Sequence, residues 1–152
     1  MTDITFKKMQ LGDENIVSEF IKFLYREDAS GSMNISDDKI AVTFQMLSEH
    51  PDYGTIYIVE CDRVPISYSL VINFWSNEYG GLIADIDELY LVPAYRNQGI
   101  GTRFINYLRE SRPNNLVALE LQVLPDNSRA SKLYESLGFK KSDRNHYLLN
   151  IN

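Results

Sequence analysis

At 152 residues the chain lies in the one-domain range and can bury a sizeable core. With 44% hydrophobic and 12% aromatic residues it is neither disordered nor membrane-like, and a net charge of −6 with a pI near 4.9 argues against a nucleic-acid binder, which needs a basic surface. A single cysteine, Cys61, excludes an internal disulfide and any cysteine metal cluster.

From the N-terminus, alternation predicts a strand over residues 4–9, and 3.6-residue spacing predicts helices over 14–27 and 37–50, with Asp13 and Ser36 as caps. The start lacks the apolar core of a signal peptide and no run approaches the roughly 18 apolar residues of a membrane span, so a cytoplasmic protein is expected. Residues 29–34 read as a polar loop. Strands over 55–61, 66–74 and 83–92 follow, joined by short turns at 62–63 and 76–81, which implies an antiparallel meander. Cys61 sits in the first of these apolar runs as a small buried residue. A helix over 99–110, a strand over 116–123, a helix over 127–137 closed by Gly138 with Phe139 packed back on it, and a last strand over 146–151 complete the chain. The order β-α-α-β-β-β-α-β-α-β predicts an α/β fold, a central mixed sheet with helices on both faces, in a single domain spanning 1–152.

The most informative stretch runs from Glu88 to Thr102, a strand entering a glycine loop that opens an amphipathic helix. Gly101, Phe104, Ile105 and Leu108 share one helix face, so residues 99–102 occupy the first turn. The amides there lack partners within the helix and point into the loop with the positive end of the dipole, while Gly99 and Gly101 leave the backbone open to an anion and Arg96 adds a full charge. A plain strand-to-helix turn would have the same glycines. The loop lacks both the Gly-Lys-Ser/Thr ending of a nucleoside triphosphate loop and the third glycine of a dinucleotide fingerprint.

Arg96-x-x-Gly99-x-Gly101, after a strand ending in Val92-Pro93, resembles the acyl-CoA signature of the GNAT superfamily of N-acetyltransferases. Asn127-Ser-Arg-Ala130-Ser-Lys-Leu133-Tyr134-Glu-Ser-Leu137-Gly138-Phe139 is similar to that family's late helix. The resemblance implies the same mixed-sheet fold and acetyl-CoA as co-substrate. Its pyrophosphate would lie against the amides of Asn97, Gln98, Gly99, Ile100, Gly101 and Thr102 beside Arg96, and its pantetheine arm would pair with Leu89, Tyr90 and Leu91. The Leu91 amide would face the thioester oxygen, an oxyanion-hole role that can supply about 3 kcal/mol. Asn127 would bond the pantetheine, although a helix cap is its other reading. Tyr134 would donate a proton to the departing sulfur, although ordinary packing places a tyrosine on that face as well. The polar loop after the first helix would be a variable wall of the acceptor pocket.

An amine acceptor must lose a proton, so a base is needed. Asp85, Asp87 and Glu88 crowd an otherwise apolar strand; Asp87 and Glu88 rank together as the base, ahead of Asp85, with surface or pairing charge as the alternative. Simple alternation puts Asp85 and Asp87 on one face and Glu88 on the other, and one bulged residue would exchange the faces beyond it. Glu27, Asp28, Trp75, Tyr79 and Asp85 are the candidate acceptor contacts, because acidic groups and aromatic faces suit a cation; solvated charge and surface aromatics are the plain alternative. His50 and His146 have no ligand spacing around them, so no metal is expected.

These readings converge on transfer of an acetyl group from acetyl-CoA to a primary amine, a small molecule before a protein, by direct attack on the thioester. The alternative is a non-catalytic acyl-CoA sensor. Neither nucleic acid nor membrane is an expected partner, and the apolar closing strand would suit the edge of a homodimer.

Overall fold

Apolar residues at alternate positions of five segments build one sheet, in the order β1 (Ile4–Lys8), β2 (Gly54–Cys61), β3 (Val64–Ser76), β4 (Gly81–Leu91) and β5 (Ala118–Leu121). The structure is a computed structural model and describes residues 2–27 and 34–151. Contacts within the chain group into two units, Met1–Gln122 and Val123–Asn152, and the whole sheet lies in the first. β1 to β4 pair antiparallel, and β5 pairs parallel to β4 from Ile83–Ala118 to Ile86–Leu121. The β2–β3 turn is tight because Asp62 and Arg63 both take positive φ, 50° and 69°, which matches the right-handed twist of a two-residue hairpin.

Helices cover both faces. Helices α1 (Glu14–Glu27) and α2 (Asp37–Glu49) lay Val17, Phe20, Ile21 and Ile40 on Ile56, Ile58, Tyr68, Leu70 and Tyr90. On the opposite face α3 (Ile100–Ser111) sets Phe104 and Tyr107 against Phe6 and Tyr57, with ring centroids 4.9 to 6.0 Å apart. Phe104 is fully buried there, a burial of about 2–3 kcal/mol. Ser36 caps α2 by accepting from the Lys39 amide at 3.3 Å, as predicted. Asp13 differs: its carboxylate turns back to the Gln10 amide at 2.9 Å and to Lys7 at 3.5 Å. Cys61 is buried and free.

In the second unit α4 (Ser128–Ser136) ends as its glycine predicts. Gly138 takes φ +99°, its amide reaches the Glu135 carbonyl at 3.0 Å, the Phe139 amide reaches that of Tyr134 at 3.0 Å, and the Phe139 ring packs edge-on against Tyr134. The strand predicted over 146–151 is not formed. Its apolar residues Tyr147, Leu148, Leu149 and Ile151 are 80–89% exposed, and without a paired neighbour a strand-like composition has no ladder to join. The strand predicted over 116–123 shortens to the four residues of β5. No helix of the described residues is long and apolar enough to cross a membrane.

Candidate active site

The carboxylates of β4 are sorted by a bulge. Leu70 of β3 stands opposite Glu88 and the next residue, Val71, opposite Ile86, so Asp87 is the extra residue. Asp85 stands opposite Ile72. Since Leu70 and Ile72 both face the α1–α2 core, Asp85 and Glu88, three positions apart, share that face. Strict alternation would have separated them, and the exchange expected from a bulge is realised.

Glu88 is fastened from two other elements. The Tyr25 hydroxyl, in the last turn of α1, donates to its Oε2 at 2.6 Å, and the Tyr68 hydroxyl, on β3, donates to its Oε1 at 3.0 Å. The Ser69 hydroxyl donates to the Glu88 carbonyl at 2.9 Å, and Ser67 donates to that of Tyr90. Burial pushes the Glu88 carboxyl up, the two tyrosine bonds pull it down, and the charge of Asp87 pushes it up again. Burial likewise raises Asp87, and Asp85 is pushed up to about 6 by burial and by the charges of Asp87 and of Glu120 beside it on β5. The Tyr68 hydroxyl is held far above the ordinary phenol value by burial, then by Glu88.

Beyond Ile86 the other edge of β4 pairs with no strand among the described residues. The Val92 amide donates to Ile66 across the β3 side at 2.9 Å, and the register runs unbroken from Glu88 to Leu91. Backbone groups of Glu88 and Tyr90 therefore face β3, and those of Leu89 and Leu91 face the side where the last β5 pairing is Ile86–Leu121. Those two amides have no strand partner there among the described residues. Leu91 presents its carbonyl to Arg96 Nε at 2.8 Å, which is consistent with that direction.

The loop that follows turns at Pro93–Tyr95, and its shape depends on left-handed positions at Asn97 (φ +63°) and Gly99 (φ +78°). Gly99 precedes the first turn of α3, its carbonyl already accepting from the Arg103 amide at 3.0 Å, so the amides of Ile100, Gly101 and Thr102 are without helical partners. Among the described residues, chain neighbours and the helix's own backbone aside, nothing lies within 4 Å of where a Cβ on Gly99 or Gly101 would stand, which leaves space for an anion against this backbone. Ile100 is buried, and Gln98 folds onto the Ala94 carbonyl at 2.9 Å. The residues fit an acyl-CoA: an unpaired strand edge for an amide-rich arm, leading to a helix N-terminus for its phosphates.

Two of the expected contacts meet each other. Arg96 Nη2 bonds both oxygens of Glu27, at 2.9 and 2.8 Å, and its guanidinium lies 5.6 Å from the Tyr90 ring centre. Arg96 thus ties the end of α1 to the end of β4. Asp28 lies outside the described residues. Trp75 pairs with Leu82, and alternation from Ile72 turns it to the α3 face, about 17 Å along β3 from Glu88's partner Leu70. Trp75 and Tyr79 are exposed at the hairpin end and are not brought to the carboxylates. In the second unit Asn127 Oδ1 accepts from the Ala130 amide at 3.2 Å as the α4 cap, and burial raises the Tyr134 hydroxyl. Tyr25, Tyr68, Ser67 and Ser69 were missed in the sequence; polar residues in the apolar run Ile66-Ser67-Tyr68-Ser69-Leu70 were the available signal.

Known proteins share the fold and, by a family model, the family of this chain. The family described as "Acetyltransferase (GNAT) domain" matches residues 52–141. An uncharacterized N-acetyltransferase of Methanocaldococcus jannaschii is 28% identical over 102 residues, covering 66% of this chain and 45% of that protein, so the aligned part is under half of the relative's length. Among solved structures, a "possible acetyltransferase" from Clostridium difficile 630 has a TM-score of 0.84 at 21% identity, covering 98% of each chain. An aminoglycoside N-acetyltransferase in complex with CoA has a TM-score of 0.79 at 15% identity, covering 99% of this chain and 96% of that one. The chain therefore belongs to the GNAT acetyltransferase family.

Proposed function

We propose that this chain transfers an acetyl group from acetyl-CoA to a primary amine of a small molecule, by direct attack on the thioester. The observation that carries this reading is the double role of β4. Its bulge turns Glu88 to the helix face, while the next amides, Leu89 and Leu91, face an open edge that runs into the α3 N-terminus.

Acetyl-CoA, as co-substrate, supplies the activated acyl group and a thiolate leaving group. Leu89 to Leu91 would align its arm, the Leu91 amide would bond the thioester oxygen, and the amides from Asn97 to Thr102 would hold the pyrophosphate. Arg96 stands at that end with its charge offset by Glu27, and would add positive charge there to the extent that it leaves that carboxylate. Glu88 would take the proton from the amine: burial brings its carboxyl closer to the working pH, which improves a general base. Asp87 is the bulged residue, outside the strand ladder, and has no such fixed hydrogen-bond partners among the described residues, which favours Glu88. Asp85 shares the Glu88 face and would attract the ammonium form. Tyr134 as proton donor to sulfur and Asn127 as pantetheine contact are assigned on the family resemblance alone. A homodimer and a cytoplasmic location complete the reading.

Calorimetric titration with acetyl-CoA, followed by thiol release across polyamines, amino sugars, amino acids and a lysine peptide, tests it. Binding with release for one small amine class is expected. Binding without release would make the protein an acyl-CoA sensor, release only with the peptide would move the acceptor to proteins, and no binding would overturn the reading.

A further inference from the structure

Glu88 makes no ion pair among the described residues. The groups facing it are Tyr25 from α1, Tyr68 from β3 and Asp87 on its own strand, of which Asp87 only opposes its charge; Asp85 shares its face. A half-buried carboxylate with an acidic neighbour and no ion-pair partner among the described residues would be driven toward its neutral form, in which it cannot accept a proton. The two tyrosine hydroxyls oppose this. Each donates to a different oxygen, so the carboxylate plane is fixed at both ends, and each oxygen keeps a second lone pair for an amine proton. Tyr68 is fully buried and its ring packs in the core, so phenylalanine would meet the packing need equally well; the hydroxyl is there for its bond.

We propose that Tyr25 and Tyr68 are positioning residues for Glu88, clamping its carboxylate in one orientation and in its anionic form. This rests on the reading of Glu88 as the base. Neither hydroxyl touches the reacting atoms; each acts through Glu88. The pair also couples the base to the end of α1, because Tyr25 lies two residues before Glu27, the partner of Arg96.

The test is the titration of Glu88 itself, read by carbon-13 NMR of side-chain carboxyls in the full chain, with the resonance assigned by its loss in Glu88→Gln. Tyr25→Phe and Tyr68→Phe each keep the ring and remove only the donor. The Glu88 midpoint is expected to rise by about one pH unit in each variant and further in the double variant. With the amine that gives release in the unaltered protein, the acid limb of kcat/KM should move up by the same interval, and the rate should recover at high pH, which general loss of structure would not produce. Unmoved midpoints in folded Tyr25→Phe and Tyr68→Phe proteins would overturn the clamp. Undiminished release by Glu88→Gln would instead overturn the assignment of the base, whatever the midpoints do.

Discussion

At Asp85, burial and two neighbouring carboxylates act in the same direction, raising its folded-state pKa to about 6 from 3.8. A raised carboxyl binds its proton more tightly in the folded than in the unfolded chain. The stability it contributes is complete below about pH 3.8 and lost as pH rises through about 6. Asp85→Asn should therefore raise Tm at pH 8 and change it little below pH 4, as thermal scans across pH would show. Because the side chain is partly in solvent, the gain is about 1 kcal/mol, or roughly 2–4 °C. The same variant should raise KM for a cationic amine. Tyr134 sets a separate expectation. With its hydroxyl raised by burial, it is a poor acid for a thiolate, so the proposed role amounts to partial charge stabilisation. Tyr134→Phe should lower kcat about tenfold and leave acetyl-CoA affinity nearly intact; an unaltered kcat in the thiol-release assay would leave the residue a packing role only. Residue types were legible in the sequence, but the choice between Asp87 and Glu88 was not. It depends on a bulge, a property of two strands read together.

At the scale of elements, the loop and first turn of α3 were the most legible part of the chain. Glycines at 99 and 101 and the apolar face of the helix are local signals, and the structure starts α3 at Ile100. Gly99→Asp separates folding from binding. The site has open space for a Cβ, but Gly99 takes φ +78°, and aspartate, which tolerates left-handed φ better than most residues, should cost about 1–2 kcal/mol of stability. A carboxylate placed where a pyrophosphate is proposed to bind should weaken acetyl-CoA binding at least tenfold by calorimetry. Unchanged affinity would remove the phosphate role from this loop. The pairing of Arg96 with Glu27, 69 positions apart, was not legible, because both residues read as ligand contacts when considered singly.

Across the molecule, the meander, the parallel β4–β5 pairing and helices on both faces followed from turn lengths and periodicity. The last strand did not. Tyr147, Leu148, Leu149 and Ile151 have strand composition, but composition sets propensity and only a neighbour sets pairing. Trp75 shows the same limit. It is adjacent to the acceptor candidates in sequence, yet one step of alternation turns it to the other face.

The bulged residue also bears on how this chain can change by insertion or deletion. Asp87 lies outside the ladder, so its removal would leave Leu70–Glu88 and Val71–Ile86 as consecutive pairs and no other contact in the sheet out of register. A one-residue gap is therefore tolerable here, whereas a gap at any of the paired positions 88–91 would shift the parity of the residues that follow. Homologues with one residue fewer between Asp85 and Glu88 can carry the same two carboxylates on the same face, and an alignment that distributes that gap elsewhere would assign the wrong acid to the base.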